Sequence, residues 1–188
     1  GEEGLLLLSQ DRDREVQKIA ALFLRKAPPP SDRYYAVRRD SPLQLKTLGS
    51  LQIFLKGTEV PDPQWRTRKA KHLLAYLAHY GEAVSKEKII NDLWPDTHGK
   101  KHDALFHTTL YRLRQVLNFP QSVLYKGGLY QLEPGSYQSD QREFEKLIQT
   151  ASHPGLPPEE AVPLLEQATA LYRGDYLADL DYNWLLPF

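Results

Sequence analysis

One short segment, Lys100–Leu117, combines four Lys and Arg with several hydrogen-bond donors and almost no acid. Apolar residues recur along it at helical spacing, which predicts a helix packed on a core; they are Leu105, Phe106, Leu110, Leu113 and Leu117. The rest of the helix surface has Asp103 as its only acid and carries Lys100, Lys101, His107, Thr108, Thr109, Tyr111, Arg112, Arg114 and Gln115. A face of donors and cations suits a helix that enters a DNA groove. The alternative is a solvated surface that happens to be basic, because charge runs usually lie on the surface.

The charges of the whole chain are unevenly distributed, although they sum to zero over 188 residues. Residues 63–132 hold eleven Lys and Arg against five Asp and Glu, whereas residues 133–188 hold three against ten. Such an asymmetry indicates a basic central module beside an acidic one with a different role.

Composition excludes several classes of protein. Apolar residues make up 41% and charged residues 26%, which is typical of a globular chain with one large or two small domains. The absence of cysteine excludes disulfides, zinc–thiolate sites and thiol nucleophiles. No apolar run is long enough to cross a bilayer and no secretory signal is visible, so we expect a cytoplasmic protein. The start at Gly1 and the apolar end at Phe188 suggest a fragment of a longer polypeptide.

No sequence motif favours an enzyme or a cofactor. The chain lacks a phosphate-binding G-x-x-x-x-G-K-[ST] loop, a G-x-S-x-G elbow and an H-E-x-x-H pair. His98, His102 and His107 lie near two aspartates, but surface histidines beside a basic helix need no metal. We therefore expect neither catalysis, nor a metal, nor a cofactor.

Around this segment the chain predicts a series of short elements. Ser9 begins a helix that ends near Lys26, and a proline-rich linker follows as far as Pro42. Alternating apolar residues then predict two antiparallel strands over 43–47 and 51–55.

The basic module itself predicts three helices and a hairpin. The first helix ends near Gly81 and the second runs over Lys86–Leu93. With the helix over 103–117 they make a helix-turn-helix arrangement. The hairpin Val123–Leu132, which turns at two glycines, then supplies a wing.

The acidic part predicts a helical hairpin. Phe144, Leu147 and Ile148 mark one helix, and an apolar stripe over 161–172 marks the other. Small residues such as Ala168 permit close packing, as in tetratricopeptide arrays. The apolar end of the chain either packs back on this hairpin or is covered by further helices; it comprises Trp184, Leu185, Leu186 and Phe188.

These motifs, in this order, resemble a known family. RKAKHLLAYLAHYGEAVSKEKIINDLWPD, then LYRLRQVL, then a glycine hairpin ending in Tyr-x-Leu, is similar to the OmpR-type winged helix. GSYQSD before FEKL, then EEAVPLLEQA and LYRGDYL, resembles a bacterial transcriptional activation domain. The tandem is that of SARP-type transcriptional activators, and the resemblance covers about residues 43–188.

The resemblance implies a mostly α fold with small antiparallel sheets. Its domains would be an amino-terminal helix and Pro-rich linker over 1–42, a winged helix over 43–134 and a tetratricopeptide-like activation domain over 135–188. It implies a bacterial, nucleoid-associated regulator that binds promoter repeats in double-stranded DNA. The acidic domain would recruit RNA polymerase or a second protomer, and no membrane would be involved. The alternative is a protein-interaction scaffold whose winged helix no longer binds DNA.

The family also implies which residues contact DNA. The recognition helix would present His107, Thr109, Arg112 and Arg114, together with Thr108 and Tyr111 of the same surface. Lys126 would be the cation at the tip of the wing.

Phosphate contacts are expected at the helix starts, from Arg66, Arg68 and Lys69 and from Lys100 and Lys101. Solvated charges are the alternative for the first three. The Trp94 indole would either contact a phosphate or act as a core aromatic that caps the second helix.

Overall fold

A computed structural model describes residues 43–96, 101–118 and 120–185. The predicted amino-terminal helix and linker over 1–42, and Lys100, lie outside these residues. The strands are β1 (Leu43–Lys46), β2 (Gln52–Leu55), β3 (Thr58–Glu59), β4 (Val84–Ser85), β5 (Val123–Lys126), β6 (Leu129–Leu132) and β7 (Tyr137–Ser139). The α-helices are α1 (Arg68–Tyr80), α2 (Lys86–Leu93), α3 (Lys101–Leu117), α4 (Asp140–Ala151) and α5 (Pro158–Leu171). Within the described residues, no helix is both long and apolar enough to cross a membrane.

The first sheet has the strand order β3-β2-β1-β7. The predicted pair β1 and β2 is antiparallel, with Leu43 opposite Leu55 and Leu45 opposite Ile53. Leu43, Leu45 and Ile53 are buried because side chains alternate along a strand and these point to the core. β7 pairs with β1 in parallel, so the sheet contains residues from both sides of the predicted boundary at 134. That boundary stays a prediction.

In the basic module, the first helix ends and the second begins at the residues that the sequence predicts. Gly81 adopts the left-handed conformation that ends α1, with a φ of 63°, and donates its N–H to Leu77 O at 3.0 Å. Ser85 Oγ accepts the N–H of Lys88 at 3.2 Å and caps α2. The predicted helices over 86–93 and 103–117 are both present, the second beginning two residues earlier.

The hairpin predicted as a wing, β5 and β6, belongs to a second sheet of three strands with the order β4-β6-β5. Gly127 and Gly128 both have positive φ angles, of 58° and 85°, which a two-residue hairpin turn requires. Tyr130 of β6 packs edge-on against Phe106 of α3, with ring centroids 4.8 Å apart. The hairpin is therefore attached to the core through α3.

The apolar stripe predicted for α3 is correct except at one position. Phe106, Leu110, Leu113 and Leu117 are buried, but Leu105 is 39% exposed. Leu105 lies about 100° around the helix from Phe106, which turns it away from the core. The prediction of a buried Leu105 is wrong.

The acidic part contains the predicted pair of helices, α4 and α5. Phe144, Ile148 and Ala168 form a small buried cluster with Leu48, which precedes the second strand of the first sheet. Ala168 has no exposed surface, and its small side chain lets the two helices approach closely.

Residues 173–185, here called the return segment, run back from α5 onto the first sheet and α1. Gly49 N–H donates to Asp175 O at 3.0 Å, and Leu177 N–H donates to Thr47 O at 2.8 Å. Trp184 is buried, with its ring 5.2 Å from that of Tyr76 in α1. For Trp184, neither of the two alternatives given for the apolar end is correct, because it packs on α1 rather than on the helical hairpin or beneath further helices.

One carboxylate joins the sheet, α4 and the return segment. The Asp140 side chain accepts hydrogen bonds from Thr47 N at 2.6 Å, Thr47 Oγ1 at 2.9 Å and Leu48 N at 3.2 Å. The Arg173 guanidinium lies 3.1 Å from its second oxygen, and the Asp140 side chain is only 8% exposed. The first sheet, α4 and the return segment are thus connected by a partly buried polar network.

Candidate nucleic-acid interface

The outer face of α3 is polar and accessible. Lys101, His107, Thr108 and Tyr111 are exposed, Tyr111 by 63%, and Arg112 is half-buried. Spacings of three, four and seven residues place Lys101, Thr108, Tyr111 and Arg112 on one side of the helix. This part of the predicted site is brought together on one surface.

The acid of α3 is paired within the protein. Asp103 Oδ1 lies 3.1 Å from Lys86 Nζ at the start of α2, and this contact raises the pKa of Lys86. The pair fixes the starts of α2 and α3 relative to each other. It also offsets the one negative charge that would repel a phosphate from this helix.

Thr109 does not belong to this surface. It is 5% exposed and points to the core beside Phe106 and Leu113. The prediction that Thr109 faces DNA is therefore wrong. Its spacing of four residues from both Leu105 and Leu113 did not show whether it belongs to the buried or to the exposed face of the helix.

Arg114 supports the wing. Its Nη2 donates to Val123 O, the first carbonyl of β5, at 2.9 Å, and its side chain is half-buried. The Nε of Arg114 is buried and has no hydrogen-bond partner among the described residues. Arg114 was predicted to face DNA, but its guanidinium holds the hairpin against α3.

Lys69 is also engaged inside the protein. Its ammonium donates to Leu93 O and, at 3.0 Å, to the Tyr182 hydroxyl of the return segment. It lies 4.8 Å from the centre of the Tyr182 ring, and burial lowers its pKa. The predicted phosphate contact is therefore replaced by a bridge between α1, the end of α2 and the return segment.

Trp94 fits the core alternative. It is 8% exposed, ends α2, and its backbone N–H donates to Ile90 O at 2.8 Å. Lys69 Nζ lies 5.7 Å from the centre of its ring. The side chain packs rather than presenting itself to a ligand.

The remaining predicted cations lie on other elements. Arg66 and Arg68 are exposed around the start of α1, and Lys126 is exposed beside the glycines of the wing. The short helical turn Asp62–Trp65, which precedes Arg66, packs against α3. With Lys101 and Arg112 of α3, these make five exposed or half-buried cations among the predicted contacts.

One side chain of this region has no role in the sequence-based site. Tyr125 in β5 is 61% exposed, although it stands opposite buried Tyr130. The sequence could have indicated Tyr125 only by its position next to Lys126. The alternation of side chains along the strand would instead have predicted that Tyr125 is buried.

Comparisons with known proteins bear on the fold. The chain is similar to Mycobacterium tuberculosis EmbR, solved in complex with a low affinity phosphopeptide, with a TM-score of 0.63 and 25% sequence identity. This likeness supports a SARP-like fold. It covers 78% of this chain and 40% of that chain, so the present chain spans less than half of the EmbR chain. No family model matches the sequence, and no curated protein matches it.

Proposed function

We propose that this chain is the DNA-binding part, with an adjoining helical domain, of a SARP-type transcriptional regulator. The observation that carries the proposal is the outer face of α3, where exposed donors and cations stand without an unpaired acid. The likeness to EmbR, a transcriptional regulator, agrees with it.

In the proposed mechanism α3 enters the major groove. Arg112 would donate to guanine O6 and N7 or to a phosphate, and Thr108 and Tyr111 would meet base edges. Lys101, at the start of the helix, would add its charge to the free N–H groups there and bind a phosphate.

The elements on either side of α3 would hold the backbone. Lys126 would reach the minor groove or its phosphates from the wing tip, and Arg66 and Arg68 would contact phosphates on the opposite side. Lys69, Arg114 and Thr109 take no part in this set.

The acidic helical hairpin has a separate proposed role. Residues 133–188 carry a large excess of acids, which disfavours contact with a phosphate backbone. We assign α4 and α5, as a tetratricopeptide-like activation domain, to the recruitment of RNA polymerase or of a second protomer at promoter repeats.

The test is the salt dependence of duplex binding. Duplexes selected from a random pool are titrated with the full chain between about 50 and 200 mM salt. Four or five cations on phosphates, depending on whether Arg112 contacts a base, predict a slope of log K against log salt of about −4.

Two variants test which surface of the protein is responsible for the salt dependence. Arg112→Ala should flatten it by at most about one unit. Lys146→Ala removes an exposed cation from α4 and should leave it unchanged. A slope near zero for the parent chain would refute the proposal and favour a scaffold without DNA binding.

A further inference from the structure

The wing carries an aromatic side chain whose position is unusual for its strand. Val123, Tyr130 and Leu132 are buried on the face of the hairpin that packs against α3. Tyr125 lies on this same face, because it stands directly opposite Tyr130 in the antiparallel register. It is nevertheless 61% exposed.

Three aromatic rings lead from the core to the surface at this point. The Phe106 ring of α3 is fully buried and lies 4.8 Å from the ring of Tyr130. The Tyr130 ring lies 4.9 Å from that of Tyr125, which has solvent on its outer side. Tyr125 thus packs on Tyr130 with one side of its ring, where the hairpin meets α3.

Charges of both signs lie near these rings. Burial raises the pKa of Tyr130, the charges of Lys86 and Arg114 oppose that rise, and Asp103 adds to it. Lys126 follows Tyr125 directly and is exposed. A phenol that packs on a buried aromatic ring beside an exposed lysine offers an apolar face and a hydroxyl donor to an anionic partner.

We propose that Tyr125 is a further DNA contact, which places the wing on the sugar–phosphate backbone next to the major groove that holds α3. Its ring packs on a deoxyribose and its hydroxyl donates to a phosphate oxygen. This inference rests on the proposed function. The Tyr125 contact differs from that of Lys126 because it does not depend on a positive charge. It depends instead on the packing of the Tyr125 ring against Tyr130.

The binding test uses two substitutions at this position and a neighbour as control. Tyr125→Ala should weaken binding of the selected duplex about 10-fold, as loss of an aromatic contact does. Tyr125→Phe keeps the ring and should weaken it only about 3-fold. Leu124→Ala truncates a 38%-exposed side chain on the opposite face of β5 and should change affinity less than 2-fold. The salt slope should be the same in all of them, because no cation is removed.

A second measurement keeps the inference testable if Tyr125→Ala loosens the hairpin. A benzoyl-phenylalanine photo-crosslinker incorporated at position 125 should crosslink to the duplex, and one at position 124 should not. Full affinity in Tyr125→Ala, or equal crosslinking from both positions, would overturn the role of Tyr125 while leaving the regulator proposal intact. A parent chain that shows no salt-dependent duplex binding would overturn both.

Discussion

Replacing Asp140 tests whether the two parts of the chain fold as one unit. Its carboxylate accepts three backbone N–H groups, from Thr47, Leu48 and Gln141, and the Thr47 hydroxyl, and it pairs with Arg173. Asp140→Ala leaves all of these donors without their acceptor at a site where the carboxylate is only 8% exposed. Hydrogen bonds to a charged group contribute about 1.5–3 kcal/mol each, but partial access of water reduces their sum. We expect a loss of about 3–5 kcal/mol in the free energy of unfolding.

The isosteric change Asp140→Asn should cost less. One oxygen still accepts from Thr47, whereas the new amide donor faces Leu48 N–H and Arg173. Two donors then face another donor, and we expect a loss of about 2 kcal/mol. Asp181→Asn makes the same charge change at an exposed position and should cost less than about 0.5 kcal/mol.

Urea unfolding monitored by tryptophan fluorescence measures these losses. The three tryptophans report on the winged-helix core and the return segment together, because Trp65, Trp94 and Trp184 are all buried there. A single transition that moves to lower urea in the order Asp181→Asn, Asp140→Asn, Asp140→Ala is expected. A loss below about 1 kcal/mol for Asp140→Ala, or an equal loss for Asp181→Asn, would refute the assignment of Asp140 as the connecting residue.

Two further predictions concern α1 and the return segment. Burial lowers the pKa of His72 and of His79 to about 4, so both are neutral in the folded chain while the unfolded chain takes up protons below about pH 6.5. The contribution of both histidines to the free energy of unfolding should therefore be complete above about pH 6.5 and decrease as the pH drops toward 4. Allowing for partial solvent screening, urea unfolding at about pH 5 should show a total loss of about 2 kcal/mol. A free energy of unfolding that does not change with pH over this range would contradict this. Lys69→Met keeps the methylene chain beside Tyr182 but loses two hydrogen bonds. It should lower the free energy of unfolding by about 1 kcal/mol and leave the salt slope of duplex binding unchanged. A flatter slope would show that Lys69 contacts a phosphate.

The elements of the fold were predictable because each has a local signal. Apolar periodicity located α1, α2 and α3, and the two glycines located the turn of the wing. The parallel pairing of β7 with β1 was not predicted, because it joins residues more than ninety positions apart and leaves no periodic trace.

The candidate site was predictable by region but less so by side chain. Lys69 and Arg114 are residues of the type that contacts phosphates. In the structure, however, Lys69 bonds Tyr182, 113 residues away, and Arg114 bonds the carbonyl of Val123 in the hairpin. A helical spacing defines a face only to within one residue, which is why Thr109 was placed outside and Leu105 inside. Which cations remain free is decided by tertiary packing, and local sequence does not contain that information.

The most direct test of the central claim is the salt slope of duplex binding by the full chain, measured in parallel for the parent, Arg112→Ala and Lys146→Ala. We expect a slope of about −4 for the parent and for Lys146→Ala, and a slope flatter by up to about one unit for Arg112→Ala. Binding that is independent of salt, or a steep slope that Lys146→Ala flattens and Arg112→Ala does not, would contradict the assignment of the outer face of α3 to DNA.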